Sequence, residues 1–553
     1  TDHAAPNKRR RYCPYGRGFR GGGNTDDSAY SYLRLLAVAD FGNDVSFRNE
    51  GLTEGGNALK RIVCIIAALI AVAGSFSVSA EPYRTYTYNA YNEPTDSPDV
   101  YTALFTADGK SLGTGEMNSP TDITSGNDGN IYITDCKNNR IIKLNSEYHT
   151  VRIYTEFLLD GEKQGLNSPT NVFVATDGTL YISDNGNRRI LVCDNGGEIK
   201  RILTKPESEL FPQDKEFLPE DLVVTGTGVL YVLCDGIYQG AVVFDENLNF
   251  TGFYGSNTVE PTLKIITENL WKKLATKEQR SKMSRYVPVQ YSSLDIDEED
   301  FVYTCVASSK SPDGRIKKLN PLGNNILNGT DGKKLFFGDY EPYEYNGKNR
   351  YSSLESISVC EKTVFAALDR TDAKVFLYSR EGDLLSVFGG QGSLKGCFAD
   401  PVALTFNGND IVVLDGKKGC FTVFTLTEYG TALYNAIDVY MDGRFSESLP
   451  LWQEVLRYDA GSYLANLGYG KALYQFGEYK QAMKYFELAG DRTHYSEAYK
   501  EYRNERLKKN MGLYFAAILV ITVTAALGIK SGMFKKFGKA VYRLIRSEKG
   551  ETV

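Results

Sequence analysis

Three patterns in the sequence predict a mainly β protein: a six-bladed β-propeller closed by an N-terminal strand, followed by a small α-helical module and one transmembrane helix. The first pattern is a repeat whose copies run from residue 118 to residue 426. The second is a pair of helical segments spaced 34 residues apart, and the third is an uncharged segment at 511–529. The composition agrees, because 38 Tyr, 28 Phe and 53 Gly favour strands and turns over helices.

The repeat is clearest in two copies, residues 118–154 and 167–203. Each copy contains a Pro, a strand, an Asp-Gly turn, an alternating strand that ends in Asp, a polar turn, an Arg-Ile strand and a fourth strand. The Asp-Gly pairs at 128–129 and 177–178 supply the positive φ that a tight hairpin needs. A sheet of four short strands cannot cover both of its faces, so the copies must stack around an axis. We therefore predict that each copy is one propeller blade.

Weaker copies of the repeat bring the predicted number of blades to six. They lie at residues 218–255, 291–320, 351–390 and 400–426. The last copy lacks a fourth strand, whereas VYTALFTADG at 100–109 precedes the first copy and has no blade of its own. Pairing of the segment 100–106 with 420–426 would complete the last blade and remove an exposed edge. We expect the propeller to occupy residues 81–430.

The residues that recur in the first two copies resemble the NHL repeat signature. They are Pro120, Asp128, Gly129, Tyr132, Asp135, Asn139, Arg140 and Ile141 in the first copy, and Pro169, Asp177, Gly178, Tyr181, Asp184, Arg188, Arg189 and Ile190 in the second. The match is faint elsewhere, where Arg315-Ile316 retains it best. The whole arrangement resembles NHL-repeat membrane proteins of Gram-positive bacteria. This resemblance implies a propeller that binds proteins, nucleic acids or ligands, and in a few relatives has lyase or lactonase activity.

Charged residues of the repeat are candidates for a binding site. Asp135 with Arg140, and Asp184 with Arg189, recur at one position of the repeat, so we expect each Asp to accept turn amides or to pair with the Arg of the next strand. A separate acidic run lacks the Gly and the spaced ligands of an EF-hand loop, so we predict a solvated hairpin there. That run is Asp295, Asp297, Glu298, Glu299 and Asp300.

Histidine and cysteine positions argue against a catalytic or metal site. After residue 80 the chain has only His149 and His494, one in a blade and one far beyond it, so no His-based triad or metal site can form. Seven cysteines in this part are scattered without CxxC pairs. We predict no catalytic residue, no metal ligand and no cofactor, and the sequence leaves the ligand-binding residues unknown. The alternative is a lyase or lactonase with a divalent metal held by Asp, Glu or Asn in the propeller channel.

The N-terminal 80 residues are predicted to contain an export signal. KRIVCIIAALIAVAGSFSVSA at 60–80 has a basic pair, an apolar stretch and a small-residue end, as in a secretory signal peptide. Residues 1–58 show no sustained period, and we predict a disordered or non-native translated leader. The preceding EGGNAL can encode a ribosome-binding site and an alternative start codon. Translation is therefore predicted to start at Leu59, with a signal peptide at 59–80.

Two further segments have helical periodicity. The first is an insertion at about 257–287, whose apolar residues follow one helix face. The second is 431–510, where Tyr440 matches Tyr474 and Trp452 matches Phe486, each pair 34 residues apart. That spacing is the tetratricopeptide period. Because two such repeats seldom stand alone, we expect them to pack against the propeller or a membrane neighbour, as a spacer or as a docking groove.

The segment 511–529 is predicted to span a membrane. Its nineteen uncharged residues, at about 1.5 Å each, nearly match a hydrocarbon core of roughly 30 Å. Seven basic residues follow it, against four in the ten residues before it, so the tail 530–553 is expected inside. One helical face of that tail could lie on the inner leaflet, although an ordinary positive-inside tail is the simpler account. That face would consist of Phe534, Phe537, Val541, Leu544 and Ile545.

These expectations together describe a single-pass protein of the cell membrane, with an extracytoplasmic propeller and a cytoplasmic C-terminus. The net charge of −6 implies no nucleic-acid partner. Some of the proteins that the chain resembles accompany solute-uptake permeases. We therefore expect a binding or scaffold protein whose partner is a membrane or cell-surface protein, with transporter components included. An accessory or sensing subunit is the role that this association implies.

Overall fold

The structure is a computed structural model that describes residues 81–256, 289–307, 314–327, 335–340, 343–345, 348–360 and 364–548. The predicted leader, the predicted signal peptide and the helical insertion at 257–287 lie outside the described residues.

The first half of the described chain contains an N-terminal segment and two complete blades. The N-terminal segment has three strands, β1 (Tyr86–Tyr88), β2 (Pro94–Asp96) and β3 (Tyr101–Asp108). Blade one consists of β4 (Asp122–Ser125), β5 (Ile131–Asp135), β6 (Arg140–Leu144) and β7 (Thr150–Tyr154). A hairpin of β8 (Glu156–Leu159) and β9 (Glu162–Gly165) leads to blade two, which consists of β10 (Asn171–Val174), β11 (Leu180–Asp184), β12 (Arg189–Cys193) and β13 (Ile199–Leu203).

The remaining strands form blades three to six. Blade three is β14 (Pro219–Val224), β15 (Leu230–Cys234), β16 (Ala241–Phe244) and β17 (Phe250–Tyr254), and blade four is β18 (Ser293–Ile296), β19 (Val302–Cys305) and β20 (Ile316–Leu319). After the hairpin of β21 (Tyr343–Tyr345) and β22 (Lys348–Arg350), blade five is β23 (Leu354–Val359), β24 (Val364–Asp369), β25 (Lys374–Ser379) and β26 (Leu384–Phe388). Blade six is β27 (Pro401–Asn407), β28 (Asp410–Asp415) and β29 (Cys420–Leu426).

The N-terminal strand β3 completes blade six, as the sequence predicted. It pairs antiparallel with β29, from Cys420 opposite Asp108 to Leu426 opposite Tyr101. The innermost strands of the six blades contact one another in ring order, and β27 returns to β4. These contacts confirm the six-bladed propeller and its closure. The closing strand ends two residues later than the predicted segment 100–106.

The segment before β3 adds a hairpin to blade five, which the sequence did not predict. Strands β1 and β2 extend that sheet beyond β26, in the order β2-β1-β26-β25-β24-β23. The Tyr88 hydroxyl donates to an Asp339 carboxylate oxygen at 2.8 Å, and Lys374 Nζ donates to the other oxygen at 2.7 Å. Tyr86 also donates to Asp339. The N-terminal segment therefore holds two neighbouring blades, five and six.

The hydrophobic core follows the ring of blades. Within the described residues, buried apolar side chains form six clusters, and each cluster lies at the boundary between two neighbouring blades. Alternating residues of each strand point to opposite faces of its sheet, so each blade contributes to two boundaries. Ile131 and Ile133 of β5, for example, face blade six, whereas Tyr132 between them faces blade two. The core thus depends on all six blades being in contact.

In the described part of the chain, six helices follow the propeller. They are α1 (Glu428–Met441), α2 (Phe445–Tyr458), α3 (Tyr463–Phe476), α4 (Tyr479–Leu488), α5 (Arg492–Lys530) and α6 (Met533–Glu548). Helix α1 begins three residues before the predicted boundary at 431, because the Thr427 side chain caps it by accepting from the Gly430 amide at 3.0 Å. The cluster between blades five and six continues into α1–α4. The helices therefore pack against the propeller, one of the two expected arrangements.

Helices α1–α4, here called the helical array, interlock through small and aromatic residues. The rings of Trp452 in α2 and Phe486 in α4 lie against Gly468 and Gly470 of α3, where a Cβ atom would be 2.5 and 2.8 Å away. These two aromatic residues are one of the pairs that the 34-residue spacing matched. Helix α3 is therefore packed closely against both α2 and α4. The tetratricopeptide assignment itself stays a prediction.

Helix α5 is a single element of 39 residues. Asp491 caps its start by accepting from the His494 amide at 3.0 Å, and Ala498 is buried against the helical array. The same helix then continues through the predicted span 511–529. Among the described residues it is the one helix long and apolar enough to cross a membrane, and only 6% of its apolar window is buried.

Candidate functional site

The recurrent Asp and Arg residues form equivalent scaffold contacts in blades one and two. The Asp135 carboxylate accepts from the Asn118 amide at 2.7 Å and from Arg140 Nε at 2.7 Å. In blade two, Asp184 accepts from the Asn167 amide at 2.7 Å and from Arg189 Nε at 2.8 Å. Both Asp side chains are fully buried. Each carboxylate thus fixes the chain entering its blade, as the repetition predicted.

Blades five and six use an Asp at the same place. Asp369 ends β24 and accepts from the Ser353 amide at 3.0 Å, and Asp415 ends β28 and accepts from the Ala399 amide at 2.6 Å. A contact found in four blades serves the fold, because a ligand site breaks the symmetry of the repeat.

The acidic run at 295–300 is only partly the solvated hairpin that the sequence predicted. Glu298 and Glu299 are exposed in the turn between β18 and β19. The prediction is wrong for Asp297, which is buried and pairs with Lys318 Nζ at 3.0 Å. It is also wrong for Asp295, whose carboxylate accepts from the Val359 amide of blade five at 2.7 Å. The acidic residues have different environments because the run begins in β18 and continues into the following turn.

Asp295 belongs to a set of polar side chains on the innermost strands, here called the inner ring. The inner ring comprises Asp122, Asn171, Asp221, Asp295, Ser356 and Thr405, one from each blade in order. Sequence reasoning singled out only Asp295. The available signal for three others was their position two residues after the Pro that opens a repeat, at Pro120, Pro169 and Pro219.

The inner ring links every blade to the next by a hydrogen bond. Asn171 Nδ2 donates to Asp122 Oδ2 at 3.1 Å and to Asp221 Oδ1 at 2.8 Å, which joins blades one, two and three. Asp221 Oδ2 accepts from the Leu294 amide at 2.8 Å and so reaches blade four, which Asp295 joins to blade five.

Hydroxyl groups complete the circle. The Leu404 amide of blade six donates to Ser356 Oγ of blade five at 3.2 Å, and the Ser125 amide of blade one donates to Thr405 Oγ of blade six at 3.0 Å.

The carboxyl groups of the inner ring hold protons more tightly than usual. Burial raises the pKa of Asp221 to about 7 and the pKa of Asp295 to about 6. Burial, together with the charge of Asp221, raises the pKa of Asp122 well above its usual range. Donated amide hydrogen bonds act in the opposite direction on all three, but they do not outweigh burial. The pKa values of Asp221 and Asp295 therefore lie closer to neutral pH than that of an exposed Asp.

The two histidines lie on different elements, and neither belongs to the inner ring. His149 is exposed in the turn before β7, and its nearest carboxylate is that of Glu147 at 3.8 Å. His494 lies in the first turn of α5, where Nδ1 is 2.8 Å from Asp491 Oδ2. Within the described ranges, no group of three His, Cys, Asp or Glu side chains could hold a metal ion.

A surface cavity of about 370 Å³ lies beside blade six. Its lining includes the loop residues Lys395 and Cys397, together with Lys418, Cys420 and Thr422 at the edge of the blade. Lys418 Nζ donates to the Cys397 carbonyl at 2.8 Å, which fixes this wall. The cavity is open and lined by mixed side chains, so it selects no particular ligand chemistry.

Comparison with known proteins identifies the repeat. The chain carries an NHL repeat. The family model described as NHL repeat matches residues 117–144, which cover β4, β5 and β6. No curated protein sequence matches the chain.

Solved structures are similar to the chain at low sequence identity. Virginiamycin B lyase from Staphylococcus aureus is 12% identical over 59% of this chain and 100% of its own, with a TM-score of 0.36. The RRP9 WD40 repeats are 12% identical over 62% of this chain and 100% of their own, with a TM-score of 0.37. These similarities are too remote to transfer an activity to this chain.

Proposed function

We propose that this NHL-repeat protein is a membrane-anchored, extracytoplasmic binding or scaffold protein. Its proposed partner is a membrane or cell-surface protein, and components of a solute-uptake system are the partner class. The observation that carries the proposal is α5, because one helix is packed into the helical array at Ala498 and continues without a break into the apolar residues 511–529. Such an arrangement would hold a folded body beside a bilayer.

Binding is favoured over catalysis by how the charged residues are used. The buried Asp residues of blades one, two, five and six accept amide hydrogen bonds of the scaffold. The polar side chains of the inner ring connect neighbouring blades. The described histidines lie on different elements, His149 in a turn of blade one and His494 in the first turn of α5. We therefore propose that a partner binds to the outer surface of the propeller or of the helical array.

The topology is tested by adding protease to intact protoplasts that express the full chain. We expect digestion of the propeller and the helical array, and protection of the tail from Lys530 onward. Detergent should then expose the tail, which controls for intrinsic resistance. A propeller that survives until detergent is added would contradict the extracytoplasmic placement.

Partner binding is tested by photo-crosslinking in cells. Phe476 and Leu488 are 57% and 58% exposed on the helical array, and Leu104 is 51% exposed on the closing strand of the propeller. A photoreactive residue at 476 or 488 should crosslink to a permease component that mass spectrometry identifies. Position 104 is the matched control for general proximity. The same proteins at all three positions, or no membrane protein at any, would refute the proposal.

The enzymatic alternative needs a divalent metal held by carboxylates and Asn. Asp122, Asn171 and Asp221 are the nearest approach to such a set, and Asn171 Oδ1 accepts no hydrogen bond from the described residues. However, the Asn171 amide nitrogen lies between the two carboxylates and donates to both, in the position that an ion would need. The residues in this arrangement therefore do not fit the metal. A rise in melting temperature with added Ca²⁺ that Asp221→Asn abolishes would revive the alternative.

A further inference from the structure

The C-terminal helix α6 has an exposed apolar face. Met533, Phe537, Val541 and Ile545 follow one another at intervals of four residues, and their exposed fractions range from 36% to 68%. Since successive residues of an α-helix are about 100° apart, these four side chains lie within a sector of roughly 120°. An apolar stripe of this width normally faces a core, a partner or a membrane.

Cationic residues occupy the opposite side of α6. Their positions around the helix span about 100°, and that sector begins roughly 80° beyond Ile545. They are Lys535, Lys536, Lys539 and Arg543. A helix that carries an apolar face opposite a strongly basic one is the kind that lies in the plane of a membrane interface.

The turn between α5 and α6 changes the direction of the chain where the apolar segment ends. Helix α5 ends at Lys530, and the Ser531 amide donates to the Leu527 carbonyl at 2.9 Å. Gly532 then has φ +69°, a left-handed conformation that cannot continue a right-handed helix. Helix α6 starts at the next residue, Met533, so it leaves α5 in a new direction within two residues.

We propose that α6 lies on a bilayer surface rich in anionic lipid, with its apolar face at the boundary of the acyl chains and its cations at the headgroup phosphates. The argument is charge complementarity together with continuity with 511–529, and it rests on the proposed membrane anchoring. Cations beside an anionic leaflet are attracted within a Debye length, and the buried apolar face adds to that attraction. The occupant of this face is thus lipid and not protein.

Tryptophan quenching in proteoliposomes of the full chain tests this proposal. Phe537→Trp places a reporter on the apolar face, Lys539→Trp places one on the basic face, and Val520→Trp places one within the apolar segment of α5. Lipids brominated on their acyl chains quench a Trp that touches them. The two native Trp residues give a background that the unsubstituted chain measures. Vesicles of phosphatidylcholine are compared with vesicles in which phosphatidylglycerol replaces part of it.

We expect Phe537→Trp to be quenched in the anionic vesicles while Lys539→Trp stays near background. Replacing Lys535, Lys536 and Arg543 by Gln in the Phe537→Trp chain should lower its quenching to the level seen in phosphatidylcholine alone. Val520→Trp should be quenched equally in both kinds of vesicle.

Other outcomes separate the two proposals. Absence of quenching at 520 with quenching at 537 would refute the anchor and keep the surface helix. With position 520 quenched, equal quenching at 537 and 539 would overturn the surface helix. So would a blue-shifted but unquenched emission at 537, which would show that protein, such as a second copy of the chain, covers the face.

Discussion

Removal of the closing strand should destabilise all six blades together. The contact between β3 and β29 comprises seven register pairs, from Cys420 with Asp108 to Leu426 with Tyr101. At about 1 kcal/mol for each net hydrogen bond, their loss is worth roughly 7 kcal/mol. The whole free energy of unfolding of a domain is about 5 to 15 kcal/mol. Deletion of residues 81–108 should therefore remove half of the stability or more.

Hydrogen exchange read by mass spectrometry measures where the stability is lost. Because every core cluster lies between two blades, an open ring should lose protection in blades one to six alike. Deletion of residues 81–96 is the matched control, because it removes β1 and β2 and keeps β3; its effect should centre on blade five. Loss of protection in blade six alone, or an unchanged melting temperature, would refute the closure argument.

A point variant tests one side-chain contact of the closing strand if the deleted chain does not fold. The Tyr101 hydroxyl is fully buried, lies 2.7 Å from the Tyr434 hydroxyl and donates to the Asn409 carbonyl at 2.9 Å. Tyr101→Phe leaves the buried Tyr434 hydroxyl without that partner, which should cost about 1 to 3 kcal/mol in the free energy of unfolding. A variant as stable as the unsubstituted chain in urea would show that this contact between strand and helix contributes nothing.

Three further predictions concern the scaffold. Asp135→Ala should lower the free energy of unfolding by about 1 to 3 kcal/mol, because it removes a buried carboxylate that accepts from the Asn118 amide and from Arg140 Nε. Unchanged stability with lost ligand binding would show a site instead of scaffolding. The pKa of Asp221 is raised to about 7, so the stability that its proton contributes is complete below the unfolded pKa of about 4 and is lost as the pH rises through about 7. The melting temperature should therefore fall as the pH rises from about 4 to about 7, and Asp221→Asn should reduce that fall. If the substitution leaves the dependence of melting temperature on pH unchanged, the raised pKa of Asp221 is refuted. Gly468→Ala would place a Cβ atom 2.5 Å from the Trp452 ring, which should lower the free energy of unfolding by about 1 to 3 kcal/mol. Gly512→Ala is the control, because a Cβ atom there has nothing within 4 Å. Equal effects of the two substitutions on the melting temperature would argue against close packing of the helices.

The propeller could be predicted because its signals are local. Asp128-Gly129 and Asp177-Gly178 mark tight turns, and strands such as 131–135 alternate between two buried faces. The strand 100–106 was assigned to blade six by elimination, since the last repeat lacked one strand and the chain before the first repeat had one to spare. The role of Asp135 and Asp184 followed from their repetition. Each of these inferences needed only neighbours in sequence or a count of copies.

The inner ring could not be predicted because its contacts are not local. Asn171 meets Asp122 and Asp221 about fifty residues away on either side. The ring residues of blades five and six are Ser356 and Thr405, and Thr405 lies two residues further along its strand than the register-equivalent Ala403. No single residue type therefore marks the ring. The pairing of Tyr86 with Val387 is more distant still and involves a strand of three residues, too short for a periodic signal.

The continuity of α5 was missed for a different reason. Composition changes sharply near Met511, from polar to apolar, and suggests two segments. However, no Gly or Pro lies between Arg492 and Met511 to end the helix. The absence of a helix breaker was the signal available in the sequence.

Helix α5 also fixes the orientation of the propeller and the helical array, here called the body, around the axis of the apolar segment 511–529. Ala498, held in the helical array, and Met511, where the apolar residues begin, are thirteen residues apart in one unbroken helix, a rise of roughly 20 Å. Each residue added to or removed from this stretch would turn the body by about 100° and move it by about 1.5 Å. The number of residues between Ala498 and Met511 therefore sets both the distance of the body from the apolar segment and the side of the body that faces a neighbour.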